Sequence, residues 1–84
     1  MVYIYEYKKY AIEHNDKINW TDEKQAKYSA FYNYTINAIE QFKTYTTREQ
    51  GTTYFTSSID MWAAVEKIGE ENFKKYVLGV QMEG

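Results

Sequence analysis

Residues 28–47, which read YSAFYNYTINAIEQFKTYTT, decide the fold class of this chain. Every second residue from Tyr28 to Ile36 is apolar or aromatic, a period of two that is typical of a strand with one face on a core. The predicted core-facing positions are Tyr28, Ala30, Tyr32, Tyr34 and Ile36. Several of the same rings also fall at helical spacing, so periodicity alone leaves helix and strand open. The abundance of Tyr, Thr, Phe and Ile favours a pleated surface, and we predict a β-hairpin with its turn at 35–38 and Asn37 in the left-handed conformation.

The segments on either side of this hairpin predict one more strand and one N-terminal helix. Gly51 precedes the residues TTYFT at 52–56, which we interpret as a short third strand. The N-terminal segment reads as a strand over 2–7, but the spacing of Tyr3, Tyr7, Tyr10 and Ala11 favours a helix through about residue 14, ending at 15–16. Periodicity leaves both interpretations of residues 3–14 open, and we predict the helix.

The C-terminal third has the clearest helix signals. Ser57 is followed three residues later by Asp60, a capping-box pattern that marks a helix start. An apolar stripe at three- and four-residue spacing continues to Ile68, and Gly69 supplies the left-handed residue that commonly ends a helix. A second helix is predicted from 70 to about 78, ending at Gly79. The predicted fold is therefore α+β: a small antiparallel sheet of about three strands packed on two C-terminal helices, with an N-terminal helix.

Length and composition bound the function. A chain of 84 residues predicts a single domain, divided into an N-terminal segment (1–19), a sheet (20–56) and a helical pair (57–80). A net charge of −2 disfavours binding to phosphate backbones, although Tyr and Lys interleave near the N-terminus and leave weak single-strand binding as an alternative. The absence of cysteine and of long apolar runs predicts a cytoplasmic protein that does not enter a membrane.

The sequence contains no recognisable catalytic, metal or cofactor motif. The single histidine, His14, stands beside Glu13 and Asp16, but neighbouring residues of a helix point in different directions and do not converge on a metal. With no cysteine and one histidine, nucleophilic catalysis has few available groups. We predict a non-enzymatic protein without cofactors, and no catalytic or metal-binding residues.

One part of the chain resembles known proteins. The residues YFTS at 54–57, IGE at 68–70 and KKYVLGV at 74–80 are similar to the ending of small uncharacterised proteins of phages and prophages of Gram-positive bacteria. The resemblance extends over roughly 20–80 and is strongest over 51–80, whereas residues 1–19 match no part of that pattern. It implies a phage source and favours the hairpin interpretation of the middle segment, but it implies no catalytic residues.

The surplus of tyrosine supplies the functional hypothesis. A core of this size has no room for ten Tyr and two Trp, so several rings must reach the surface, and protein interfaces are enriched in these residue types. We therefore expect a protein that binds and modulates a host bacterial protein, of which inhibition of a defence factor such as a CRISPR effector nuclease is one case. Self-association into a homodimer is the alternative. The expected contact residues are Tyr32, Tyr34, Tyr45 and Tyr54, with Asp22, Glu23, Glu70 and Glu71 as rim acids.

Overall fold

The alternating segment forms the predicted β-hairpin. In the computed structural model, which describes residues 2–14 and 17–80, the fold is α+β with a two-stranded antiparallel sheet. The elements in chain order are α1 (Val2–His14), β1 (Lys27–Asn33), β2 (Ala38–Thr44), α2 (Ser58–Ile68) and α3 (Glu70–Asn72), the last continuing into a π-helical segment (Phe73–Val77). The register pairs Lys27 with Thr44 at the open end and Asn33 with Ala38 at the turn.

The turn of the hairpin occupies residues 34–37, one residue earlier than predicted. Asn37 has φ +53°, which confirms its left-handed conformation, and the side chain of Asn33 accepts a hydrogen bond from the Thr35 N–H at 2.9 Å. The prediction that Tyr34 and Ile36 face the core was wrong, because both lie in this turn and are 68% and 56% exposed. An Asx turn of this kind ends the strand at Asn33, three residues before the alternating pattern of the sequence ends.

Residues 52–56 do not form the predicted third strand. Only Phe55 pairs with β1, through two backbone hydrogen bonds of 2.7 and 2.8 Å with Tyr28. Residues 51–53 instead lie near α1, where they line a depression together with Tyr7 and Lys8. The chain therefore crosses the edge of β1 at one point and does not run along it.

The C-terminal helices follow the cap signals of the sequence. The Ser57 side chain accepts a hydrogen bond from the Asp60 N–H at 3.4 Å, and Gly69, with φ +93°, follows the last residue of α2. The second helical segment is short and irregular, because the Leu78 N–H bonds to the Phe73 carbonyl five residues back. Gly79, at φ +71°, then ends it.

The N-terminal segment is a helix, as predicted, and helps to enclose the core. Tyr7 and Ala11 of α1 are buried, while Tyr3 and Tyr10 of the same stripe pack against the buried cluster. The predicted helix end at 15–16 lies outside the described residues. The buried cluster consists of Tyr7, Ala11, Ile39, Phe55, Met61, Ala64, Val65, Ile68 and Phe73. Helices α1 and α2, Phe55, Phe73 and one face of the hairpin thus share a single core.

Candidate protein-interaction surface

The hairpin has two faces that differ in what covers them. Side chains alternate between the faces of a strand, so Tyr28, Ala30 and Tyr32 of β1 share the inner face with Ile39 and Gln41 of β2. This inner face packs on the core, and the Trp62 indole N–H of α2 donates to the Gln41 side-chain oxygen at 3.1 Å. The outer face carries the intervening side chains of both strands, of which Lys27, Ser29 and Thr44 at the open end are buried.

The outer face presents two aromatic rings that the sequence analysis did not select. Phe31 and Phe42 are 40% and 44% exposed, and they lie on diagonal positions of the register. Both line a shallow depression of about 270 Å³, whose other walls include Ser29, Thr52 and Tyr54. The signal for this site was present in the sequence: Phe31 breaks the alternation of β1, because it is an aromatic residue at a position where the pattern calls for a polar one.

The ten tyrosines divide into three classes of exposure. Tyr7 and Tyr54 are buried, Tyr5, Tyr34 and Tyr45 are exposed, and the other five are intermediate. The expectation that several rings reach the surface is therefore met within the single chain. The exposed tyrosines do not form one patch, since Tyr5 lies on α1 while Tyr34 and Tyr45 lie at opposite ends of the hairpin.

Tyr54 is nearly covered within the chain. Its side chain is only 6% exposed, and its ring lies edge-on to Trp20 with centroids 4.8 Å apart. The Tyr54 hydroxyl accepts a hydrogen bond from the Glu49 N–H at 2.9 Å. Tyr54 is therefore not an exposed ring, and its remaining surface forms part of the wall of the Phe31–Phe42 depression.

Two of the expected contact residues, Tyr32 and Tyr34, lie together at the turn end of the hairpin. The rings of Tyr32 and Tyr34 are 4.9 Å apart in an edge-on arrangement, and the Lys74 ammonium lies 5.7 Å from the Tyr32 ring centre. Lys74 also forms an ion pair with Glu71 at 3.1 Å, and this hydrogen bond raises the Lys74 pKa. Glu70 is exposed beside them. This end of the hairpin therefore carries aromatic surface next to acidic side chains.

Three other expected contact residues, Asp22, Glu23 and Tyr45, lie at the open end of the hairpin, near the buried Lys27. Lys27 is completely buried, and its ammonium donates to the backbone carbonyl oxygen of Asp22 at 3.1 Å and to that of Tyr45. Its ammonium also lies 5.3 Å from the Trp20 ring centre. Lys27 thus holds Asp22 and Tyr45 together, while Glu23 is exposed in the adjoining turn.

The backbone edge of β2 that faces away from β1 is the other notable feature of the hairpin. Gln41 and Lys43 are exposed on this edge, whereas Ile39 is 8% exposed. Because Tyr28 bonds to Phe55 on the side of β1 away from β2, its opposite residue Lys43 makes no ladder hydrogen bonds. The alternation of an antiparallel ladder then directs the N–H and C=O groups of Ile39, Gln41 and Lys43 outward. Within the described part of the chain, no backbone or side-chain group hydrogen-bonds to these outward groups.

The described residues offer few groups for chemistry. His14 is exposed, its ring is stacked on Tyr10 at 3.8 Å, and its Nδ1 lies 2.9 Å from the Tyr10 carbonyl oxygen. Over 2–14 and 17–80, no three His, Asp or Glu side chains are grouped to hold a metal ion. In the same ranges, no helix has the length and apolar character needed to cross a membrane.

Comparisons of the chain with protein-family models, curated proteins and solved structures give no match.

Proposed function

We propose that this protein is a non-enzymatic binding domain that docks onto another protein through the outer face of its hairpin. The observation that carries the proposal is the pair of half-exposed rings, Phe31 and Phe42, beside an apolar depression. Adjacent exposed apolar side chains around a depression are a feature of interaction sites, because leaving them in water costs free energy that a partner recovers. The depression is of a size to receive one apolar side chain of the partner.

The charges around this surface suggest the partner's chemistry. Asp22 and Glu23 lie at one end of the hairpin, and Glu70 and Glu71 lie near the other. With a net charge of −2, the chain would favour a partner whose apolar contact site has a basic rim. Such a rim mainly accelerates association and excludes wrong partners. The affinity comes from Phe31 and Phe42, which the partner would bury.

The biological setting of the proposal depends on the resemblance of residues 51–80 to small phage proteins. On that basis we propose a host bacterial protein in the cytoplasm as the partner, with steric obstruction of a functional surface as the mechanism. A defence nuclease, whose nucleic-acid groove is basic, has the complementary charge. This assignment of source and partner is separable from the docking surface itself.

Affinity capture from a lysate of a Gram-positive bacterium tests the docking surface with matched variants. Phe42→Ser and Phe31→Ser should each weaken capture of the same protein about 30-fold, the effect of losing about 2 kcal/mol at an interface hot spot. Tyr5→Ser, at a more exposed ring on α1, should leave capture unchanged. Equal losses in all three variants, or repeated failure of the parent chain to capture any protein, would count against the proposal.

A further inference from the structure

We propose that two copies of this chain associate by pairing their β2 strands antiparallel, with Gln41 on the twofold axis. The interaction is separate from docking through the outer face, because it uses the backbone edge of β2. Two-stranded sheets are marginal in water, and an open edge is a template for a further strand. Pairing of two β2 edges would give a four-stranded sheet in the order β1–β2–β2–β1.

The direction of the backbone groups limits the registers that can form. Outward N–H and C=O groups belong to Ile39, Gln41 and Lys43, so a symmetric pair forms ladder hydrogen bonds only when odd-numbered residues face odd-numbered residues. That condition places the twofold axis on a residue and not between two residues. Within two residues of its centre, β2 offers five positions for the axis. An axis at Ile39 would pair only residues 38–40 within the strand, and the other four positions are Glu40, Gln41, Phe42 and Lys43.

Charge excludes two of these four registers. An axis at Glu40 would bring two carboxylates directly opposite each other, and an axis at Lys43 would do the same with two ammonium groups. Like charges at directly opposed positions destabilise a strand pair. Only the registers centred on Gln41 and Phe42 place no like charges face to face.

Length selects between the remaining two. An axis at Gln41 pairs all of Ala38–Thr44 with its counterpart and makes about six backbone hydrogen bonds, two for each outward residue. An axis at Phe42 would pair only residues 40–44 within the strand and leave Ile39 unbonded. The Gln41 register also sets two uncharged amides opposite each other, and the Trp62 indole already orients that amide. A second copy of the chain therefore fits this edge by charge and by length.

Single-cysteine scanning tests the register directly, because the chain contains no cysteine of its own. Two residues at position 41 would have Cα atoms about 5.5 Å apart, within the range of a disulfide. Those at 40 or 42 would be about 8 Å apart and those at 43 about 14 Å, beyond that range. Gln41→Cys should therefore cross-link under mild oxidation at least tenfold faster than Glu40→Cys, Phe42→Cys or Lys43→Cys. Faster cross-linking at another position overturns the proposal.

Sedimentation of the native chain and of two variants at Gln41 provides the second test. Gln41→Pro removes an outward N–H that the hairpin does not use, whereas Gln41→Ala keeps it, and both variants lose the Trp62 contact. The native chain should dimerise, and Gln41→Pro should raise the dimer Kd at least tenfold above that of Gln41→Ala, with unchanged circular dichroism. A native chain that is monomeric at millimolar concentration, or equal Kd values for the two variants, overturns the proposal. Phe31→Ser, which tests outer-face docking, should leave the Gln41→Cys cross-link unchanged, so the two proposals fail separately.

Discussion

Tyr7 offers a sharp test of the packing, because its hydroxyl is buried in the core without a hydrogen-bond partner among the described residues. The ring is well placed, with centroids 4.8 Å from Phe73 and 5.3 Å from Phe55. Tyr7→Phe keeps these ring contacts and removes only the unsatisfied oxygen. An unpaired buried hydroxyl costs about 1–3 kcal/mol, and a small void offsets part of the gain. We expect Tyr7→Phe to raise the free energy of unfolding by about 1 kcal/mol, or the Tm by about 4–8 °C for a domain of this length.

The pH dependence of the same variant provides an independent measurement. Burial raises the pKa of Tyr7 above its ordinary value of 10. A group whose pKa is raised by folding contributes stability that is complete below its unfolded pKa and is lost as pH rises above it. Between pH 10 and 11 the unfolded parent ionises at Tyr7 while the folded parent does not. The advantage of Tyr7→Phe should therefore grow from about 1 kcal/mol at pH 7 to about 2 kcal/mol at pH 11.

Tyr54→Phe is the matched control, because its hydroxyl is buried but accepts a hydrogen bond from the Glu49 N–H. The same chemical change should here lower the free energy of unfolding by about 1 kcal/mol. Urea denaturation at pH 7 and pH 11 measures all three proteins. A Tyr7→Phe variant that is less stable than the parent, or an advantage that does not change with pH, would refute the burial of an unsatisfied hydroxyl.

Two further substitutions test the elements that hold the hairpin and α2. Lys27→Met should lower the free energy of unfolding by about 1–3 kcal/mol, because two backbone carbonyls lose their donor. The exposed Lys24→Met should change it by less than about 0.5 kcal/mol, and similar effects in urea denaturation would contradict the buried role of Lys27. Ser57→Ala should cost about 1 kcal/mol by removing the N-cap of α2. Thermal unfolding followed by circular dichroism should show a smaller loss of stability for Ser58→Ala than for Ser57→Ala. A larger loss for Ser58→Ala would contradict the assignment of Ser57 as the N-cap.

Local signals in the sequence were sufficient for the bounds of α2, the buried side of α1 and the left-handed residue of the hairpin turn. The cap at Ser57 and the glycine at 69 identify the bounds of α2, and the stripe of Tyr7 and Ala11 identifies the buried side of α1. Asn37 identifies the hairpin turn. Each of these features depends on hydrogen bonds or spacing within a few residues, which is why the sequence alone predicts it.

The candidate surface could not be predicted in the same way. The sequence distinguishes aromatic from polar residues, but it does not say which rings another segment will cover. Tyr54 is buried because Trp20, distant in the chain, packs against it, whereas Phe31 and Phe42 remain exposed on the same side of the hairpin. The expected contact residues therefore included the buried ring of Tyr54 and omitted the exposed rings of Phe31 and Phe42.

The amino-acid sequence by itself predicted the α+β class, the bounds of α2 and the left-handed Asn37 of the hairpin turn, because these follow from local composition and capping. Only the tertiary structure decided the number of strands, the open edge of β2 and the exposed face of the hairpin. A single contact of Phe55 with Tyr28 occupies one edge of β1, and residues 51–53, which precede Phe55 in the chain, lie near α1. Contacts between distant segments set which surface stays open to water, and no local pattern of residues records them.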